Sequence, residues 1–246
     1  MEEVSVRTFQ CVPESSGRLR LQLHEIHVWK KDLSLPPAEI ERCRTVLSTD
    51  ELERAARFRF EANRNEYIVS RGTLRTLLGS YLNVPPRELC FVYSEYGRPS
   101  VAPGTSSRLL NFNIGHSGKV VLLAFAEGRR VGIDVEKLRR DFSTSEIAER
   151  FFSMAEREAL RALPQDQRHE AFFRCWTRKE AFIKALGEGM SHPLDQFDVS
   201  LAPSEPAVLL ATRPDAQEVK RWKLWNIQVP GNYAAALAAE ANGSPT

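Results

Sequence analysis

Hydrophobic and polar positions change their spacing several times along the chain, and each change predicts an element. Residues 21–29 read as a strand and 36–47 as a helix. Ser48, Thr49, Asp50 and Glu51 have the spacing of a capping box, so a second helix should start there and run through Arg57. A longer helix follows over about 62–82. Leu89, Phe91 and Tyr93 then alternate ahead of a Tyr96-Gly97-Arg98-Pro99 turn, and 110–114 and 120–125 read as strands bracketing a Gly-His-Ser-Gly loop. The order then recurs. A strand over 131–135 leads to a helix entered through Ser153, Met154, Ala155 and Glu156, again at capping-box spacing, and an amphipathic helix covers about 167–186. Strand-like runs at 197–201, 207–211 and 222–229, with a return at 233–238, close the chain. Residues 1 to about 19 and 241–246 lack such periodicity and read as loose ends. The repeated order predicts an α+β fold of two similar tandem half-domains, 1–130 and 131–246, related by a pseudo-twofold.

Composition narrows the class of protein. Of 246 residues, 42% are hydrophobic and 27% charged, a globular balance that is neither disordered nor fibrous. Basic residues number 34 and acidic ones 32, so the formal charge of +2 supplies no field that calls for nucleic acid. Cys11, Cys43, Cys90 and Cys175 lie far apart with no CxxC spacing, which argues against a zinc knuckle or a disulfide framework and for a reducing compartment. No apolar run near the start resembles a signal peptide, and none approaches a membrane span, so a cytoplasmic protein is expected. Neither a G-x-S-x-G elbow nor a G-x-x-x-x-G-K-[ST] loop is present, which disfavours serine hydrolases and P-loop NTPases.

Three constellations carry candidate chemistry. In Val131-Gly132-Ile133-Asp134-Val135-Glu136, strand periodicity sends Asp134 and Glu136 to one face and the aliphatic residues to the other. Alone, that pattern also fits an ordinary strand with one wet face. In the helix from Trp176 to Lys184, i, i+4 spacing aligns Trp176, Glu180 and Lys184, and the tryptophan suggests that this stripe faces inward. Were Glu180 to approach Asp134 and Glu136, carboxylates near 4 Å would repel by about 4 kcal/mol per pair at an effective dielectric of 20, which demands a cation or a shifted protonation state. Oxygen ligands suit a hard ion such as Mg²⁺, which keeps waters and binds phosphates. The third constellation is Phe112-Asn113-Ile114-Gly115-His116-Ser117-Gly118-Lys119, whose expected turn would offer His116 and backbone amides to a phosphate. Arginines are dense from Arg54 to Arg75, including Arg57, Arg59, Arg64 and Arg71, and Arg98 lies in the Gly97-Arg98-Pro99 turn. Guanidinium groups suit phosphates, and part of this set suits a solvated helix surface equally well.

With Phe151-Phe152-Ser153 and Glu156, these motifs resemble, in this order, the 4'-phosphopantetheinyl transferase superfamily, in its larger monomeric type that activates surfactin synthetase and similar assembly lines. The resemblance runs from about Arg54 to Phe197. It implies two α+β halves with coenzyme A in the cleft between them, a cytoplasmic monomer, and transfer of the 4'-phosphopantetheine arm to a serine of an apo acyl, polyketide or peptidyl carrier protein. Asp134, Glu136 and Glu180 would hold Mg²⁺. Arg54, Arg98 and His116 would grip phosphates, Gly97 and Pro99 would shape the nucleotide site, and Asn113 and Gly115 fall within the matched phosphate-binding motif. Lys184 would reach the pyrophosphate and stabilise or protonate the departing phosphate, with Glu180 taking the serine proton directly or through water. Gly115 departs from the serine that many relatives carry there. Arg129, Arg130, Arg139 and Arg140 flank the acidic strand and are candidates to receive an acidic carrier. Two competing readings are a metal-dependent nuclease, which the charge balance supports poorly, and a carrier-protein or nucleotide binding module without catalysis, against which the set Asp134, Glu136, Glu180 and Lys184 speaks.

Overall fold

The structure, a computed structural model, describes residues 4–10, 18–140, 143–187, 192–213 and 215–242. The expected loose segments at 1–3, 11–17 and 243–246 lie outside these residues. The chain folds as two compact units, Met1–Asn111 with Lys119–Glu127, and Phe112–Gly118 with Gly128–Thr246. Both mix helices and strands, as the α+β reading expects.

In the first unit β1 (Ser5–Phe9), β2 (Glu25–Asp32) and β6 (Val120–Glu127) lie side by side, β1 parallel and β6 antiparallel to β2. The first strand corrects the expectation of a loose start. Its sequence, Ser-Val-Arg-Thr-Phe, carries little apolar signal because it is an edge strand with mostly exposed side chains, anchored by Phe9 stacking on Trp29 at 4.4 Å. Strand β2 begins at Glu25 rather than at residue 21, since the preceding residues turn. Helices α1 (Pro37–Thr45), α2 (Thr49–Ala56) and α3 (Glu61–Leu82) follow. The glutamate that caps α2 also fastens it to α3, because buried Glu51 accepts from Arg71 Nε at 3.0 Å and from Arg75 Nε. Arg71 also donates to the Tyr93 hydroxyl at 2.9 Å, and Arg75 to the carbonyls of Pro86 and Leu89. Arg71 is therefore a buried structural cation, neither phosphate grip nor solvated surface. A short hairpin, β3 (Phe91–Tyr93) and β4 (Pro99–Val101), closes through Gly97 at φ 77°, the turn that its Gly-Arg-Pro sequence predicts.

In the second unit β10 (Trp222–Asn226), β11 (Tyr233–Glu240) and β7 (Val131–Lys137) form an antiparallel sheet in that order. Helix α6 (Gln165–Leu186) lies across β7 and β11, and its apolar stripe of Phe172, Phe173, Phe182 and Ile183 enters the core with Phe152, Phe197 and Trp222. Each such side chain contributes about 1.5–3 kcal/mol by leaving water. Helix α4 (Thr144–Phe151), which periodicity did not flag, starts at Ser143, whose hydroxyl accepts from Glu146 N; α5 (Met154–Ala162) starts in the expected capping box. A hairpin of β8 (Phe197–Val199) and β9 (Leu209–Thr212) completes the unit, shorter than the strand-like runs that predict it.

Glu156 does for this unit what Glu51 does for the other. Its carboxylate accepts from Ser153 N at 3.0 Å and Val199 N at 2.8 Å and pairs with Lys179 Nζ at 2.8 Å. The ammonium also donates to the carbonyls of Leu194 (2.7 Å) and Phe197 (2.6 Å), so all three of its hydrogens have acceptors. Ser153 and Glu156 of the capping box and Lys179, which lies inside the Trp176–Lys184 motif, are thus one buried clamp between α5, α6 and β8.

Candidate active site

Strand β7 places Asp134 and Glu136 as its alternation requires, Asp134 buried and Glu136 half-buried. Helix α6 approaches β7 at Gly132. A Cβ there would stand 2.1 Å from Ala181 O and 2.3 Å from Ala185 N, so only glycine lets the helix backbone come so close. That contact sets Lys184 over the strand, where its Nζ is 2.6 Å from Asp134 Oδ1 and 3.3 Å from Ile133 O. One turn earlier on α6, Glu180 is half-buried near the same group.

Electrostatics tie these residues together. Burial pushes the Asp134 carboxyl up to about 7; Lys184 opposes that rise, and the neighbouring Glu180 and Glu136 carboxylates add to it. Burial also raises Glu180, again with Lys184 opposing and Glu136 adding. Among the described residues Asp134 Oδ2 is buried without a hydrogen-bond partner. The expected convergence of Asp134, Glu136, Glu180 and Lys184 is therefore present as an electrostatic group. Among the described residues, however, no three His, Cys, Asp or Glu side chains stand close enough to hold a metal by themselves.

Strand β5 (Leu110–Ser117) corrects the third constellation. Gly115, His116 and Ser117 belong to the strand, and the turn is Gly118, at φ 55°, with Lys119, so the expected longer loop of amides for a phosphate is not present. His116 is exposed, as expected. Asn113 instead faces β7: its Oδ1 accepts from Ile133 N at 2.9 Å. Two residues on, a Cβ at Gly115 would be 2.9 Å from Ile133 O and 3.1 Å from Asp134 Cα. Ser117 Oγ accepts from Lys137 N at 3.0 Å and donates to Glu136 Oε2 at 2.7 Å. Period-two spacing puts 113, 115 and 117 on one side of β5, and that signal could have identified them as the residues facing β7.

The remaining expected residues lie in the first unit. Arg54 is exposed on α2, its guanidinium 5.6 Å from the centre of the Tyr67 ring, and it lines a cavity of about 550 Å³ with Asp50, Glu53, Arg57 and Phe58. Gly97, half-buried Arg98 and Pro99 form the β3–β4 turn, where Arg98 N donates to Ser94 Oγ at 3.1 Å. Of the basic residues flanking β7, Arg129 is 6% exposed and donates to the carbonyls of Glu240 and Ala241, while Arg130 binds the Glu240 carboxylate at 2.9 Å and lies over the Trp222 ring. Both secure the end of the sheet; burial removes Arg129 as a docking group, while Arg130 is only half-buried. Arg139 and Arg140 are exposed.

No helix among the described residues is long and apolar enough to cross a membrane, and Cys43, Cys90 and Cys175 are free thiols. Comparison with known proteins gives the family. Residues 130–238 match the profile of the 4'-phosphopantetheinyl transferase superfamily, and 35–128 that of the 4'-phosphopantetheinyl transferase N-terminal region. The chain is 37% identical over 225 residues to the 4'-phosphopantetheinyl transferase HetI of Nostoc sp., covering 92% of each. It is 33% identical over 208 residues to the transferase Sfp of Bacillus subtilis, covering 85% of this chain and 89% of that one. Among solved structures it is similar to the holo-[acyl-carrier-protein] synthase of Thermotoga maritima, with 26% identity, a TM-score of 0.37, and coverage of 45% of this chain and 62% of that one. A relative matched over nearly its whole length, and two profiles that divide the chain between them, establish that this protein belongs to the 4'-phosphopantetheinyl transferase superfamily and is a 4'-phosphopantetheinyl transferase.

Proposed function

We propose that the protein transfers the 4'-phosphopantetheine arm of coenzyme A to a serine hydroxyl of an apo carrier protein, releasing 3',5'-ADP, with Mg²⁺ as the metal. The observation that carries the metal is buried Asp134, whose Oδ2 has no partner among the described residues while Glu136 and Glu180 add negative charge beside it. An all-oxygen set of this kind fits a hard divalent ion, whose other positions are taken by water and substrate phosphate. Asp134, Glu136 and Glu180 would hold it, and when bound it neutralises charge on the transferring phosphoryl group.

The protein's own groups do the rest. Glu180, its carboxyl raised by burial, is suited to take the serine proton, directly or through a water. Lys184 has three donors and is proposed to move from Asp134 to the pyrophosphate, where it stabilises or protonates the departing 3',5'-ADP phosphate. His116, exposed on β5, is proposed to contact a phosphate, and Asn113 and Gly115 to contribute by fixing β5 against β7. In the first unit Arg54 and Arg98 are proposed to bind phosphates, with Gly97 and Pro99 shaping the nucleotide site; the cavity that Arg54 lines with Arg57 supports the part given to Arg54. Exposed Arg139 and Arg140 are proposed to receive an acidic carrier. A cytoplasmic, monomeric protein is part of the proposal, and the free thiols support a reducing compartment.

The test is the intact mass of an apo carrier protein after incubation with this protein, coenzyme A and Mg²⁺. A gain of about 340 Da that EDTA abolishes is expected. A Glu180→Gln protein that transferred at the normal rate would remove Glu180 from both metal binding and proton transfer.

A further inference from the structure

Strand β7 pairs with β11 along one edge. Along its other edge, side chains of β5 take two of its amides, Asn113 at Ile133 N and Ser117 at Lys137 N. The two contacts differ in what else they do. Asn113 Oδ1 is buried at its contact. Ser117 Oγ is half-buried, and accepting the Lys137 amide leaves its single hydrogen to be directed elsewhere. It is directed at Glu136 Oε2, 2.7 Å away, a distance suited to a charge-assisted O–H···O bond. A half-buried glutamate has three side-chain torsions and water within reach. This bond holds one of its oxygens against β5, while the carboxylate's charge acts on the group around Asp134.

We infer that Ser117 is a positioning residue for the metal-binding carboxylate of Glu136: it fixes that side chain without touching the metal or the substrate. The inference rests on the Mg²⁺ reading above. Its consequence is a loss confined to metal affinity. Removing an outer partner of a metal ligand weakens metal binding by about 10–100-fold, and the lower end applies here because water can replace the hydroxyl at this half-exposed position. Threonine keeps the hydroxyl, tolerates strand geometry, and should restore the bond.

The experiment uses the full chain as wild type, Ser117→Ala and Ser117→Thr. Mg²⁺ binding is measured calorimetrically in the presence of coenzyme A, transfer is measured across Mg²⁺ concentration, and thermal unfolding is measured in EDTA. For Ser117→Ala the expected result is about tenfold weaker Mg²⁺ binding and a matching rise in half-saturating Mg²⁺, with kcat at saturating Mg²⁺ within about twofold of wild type. Ser117→Thr should bind within about twofold of wild type, and all three proteins should melt together in EDTA. Wild-type metal affinity in Ser117→Ala would overturn the assignment, as would a fall in kcat with unchanged Mg²⁺ dependence. A large drop of its melting temperature in EDTA would make Ser117 a folding residue and also overturn it. If the wild type neither bound Mg²⁺ nor lost activity in EDTA, the metal reading itself would fall, and this inference with it.

Discussion

Replacing Lys179 by methionine separates structure from chemistry in the Trp176–Lys184 motif. Lys179 and Glu156 are 0% and 2% exposed and pair at 2.8 Å. Methionine preserves most of the volume, so the cavity contribution is small, but Glu156 then keeps a buried charge that has lost its ammonium partner, with the Ser153 and Val199 amides still donating to it. The carbonyls of Leu194 and Phe197 also lose a donor. Breaking a buried pair from one side costs about 3–5 kcal/mol. For a chain of this length that lowers the melting temperature by ~6–20 °C, at about 2–4 °C per kcal/mol. Thermal unfolding followed by circular dichroism measures the loss, and pairing the substitution with Glu156→Gln should recover part of it, giving a coupling energy. Transfer well below the transition should stay near wild type, because the Lys179 ammonium is committed to Glu156 and two carbonyls rather than to the Asp134 group. A melting point within about 2 °C of wild type would refute the energetic reasoning. Lost activity in a folded Lys179→Met protein would refute its structural assignment.

Three further outcomes follow from the geometry. Gly132→Ala places a methyl group 2.1 Å from Ala181 O, so α6 must lift from β7; stability should fall by about 1–3 kcal/mol and transfer by more than about tenfold, and wild-type values of both would show that the helix yields freely. Gly115→Ser, the residue that the resemblance leads one to expect there, puts a Cβ 2.9 Å from Ile133 O and should lower stability and weaken Mg²⁺ binding; tighter coenzyme A binding at an unchanged melting point would contradict this. Burial lowers the pKa of His27 from 6.5, with Glu25 opposing, so the unfolded chain takes up a proton more readily than the folded one. The stability from neutral His27 is complete above about pH 6.5 and is lost as pH falls through that value, and urea unfolding of wild type against His27→Gln should show a weaker acid dependence in the variant.

Local signals account for much of what was legible in the sequence. The capping spacing before α2 and α5, the period of α3 and α6, and the alternation of β7 are all written within a few residues, and the structure has these elements. The approach of Asp134, Glu136, Glu180 and Lys184 depends on distant segments; spacing raised it only as a condition, and the resemblance supplied it. What escaped depended on tertiary contact. Ser5–Phe9 is a strand because β2 offers it an edge, and a propensity reading has no access to that neighbour. Arg71, one of the arginines that suit a phosphate or a solvated surface, is received by a buried glutamate instead, and nothing local marks Lys179 as the partner of buried Glu156. Gly115 to Ser117 carry the small-residue signature of a loop, yet smallness serves close approach to β7 rather than turning.

The placement of β5 bears on how this protein can be dissected. Residues Phe112–Gly118 fold with the second unit although the chain on either side, Met1–Asn111 and Lys119–Glu127, folds with the first. No single cut of the backbone separates the units. A fragment beginning at Gly128 would carry the acidic strand and α6 but would lack Asn113, leaving the Ile133 amide bare, and would lack Ser117, leaving Glu136 untethered. Ligation of a synthetic β5 peptide, or a circular permutation that keeps residues 112–118 with the second unit, is the minimal route to isolating the unit that carries Asp134, Glu136, Glu180 and Lys184.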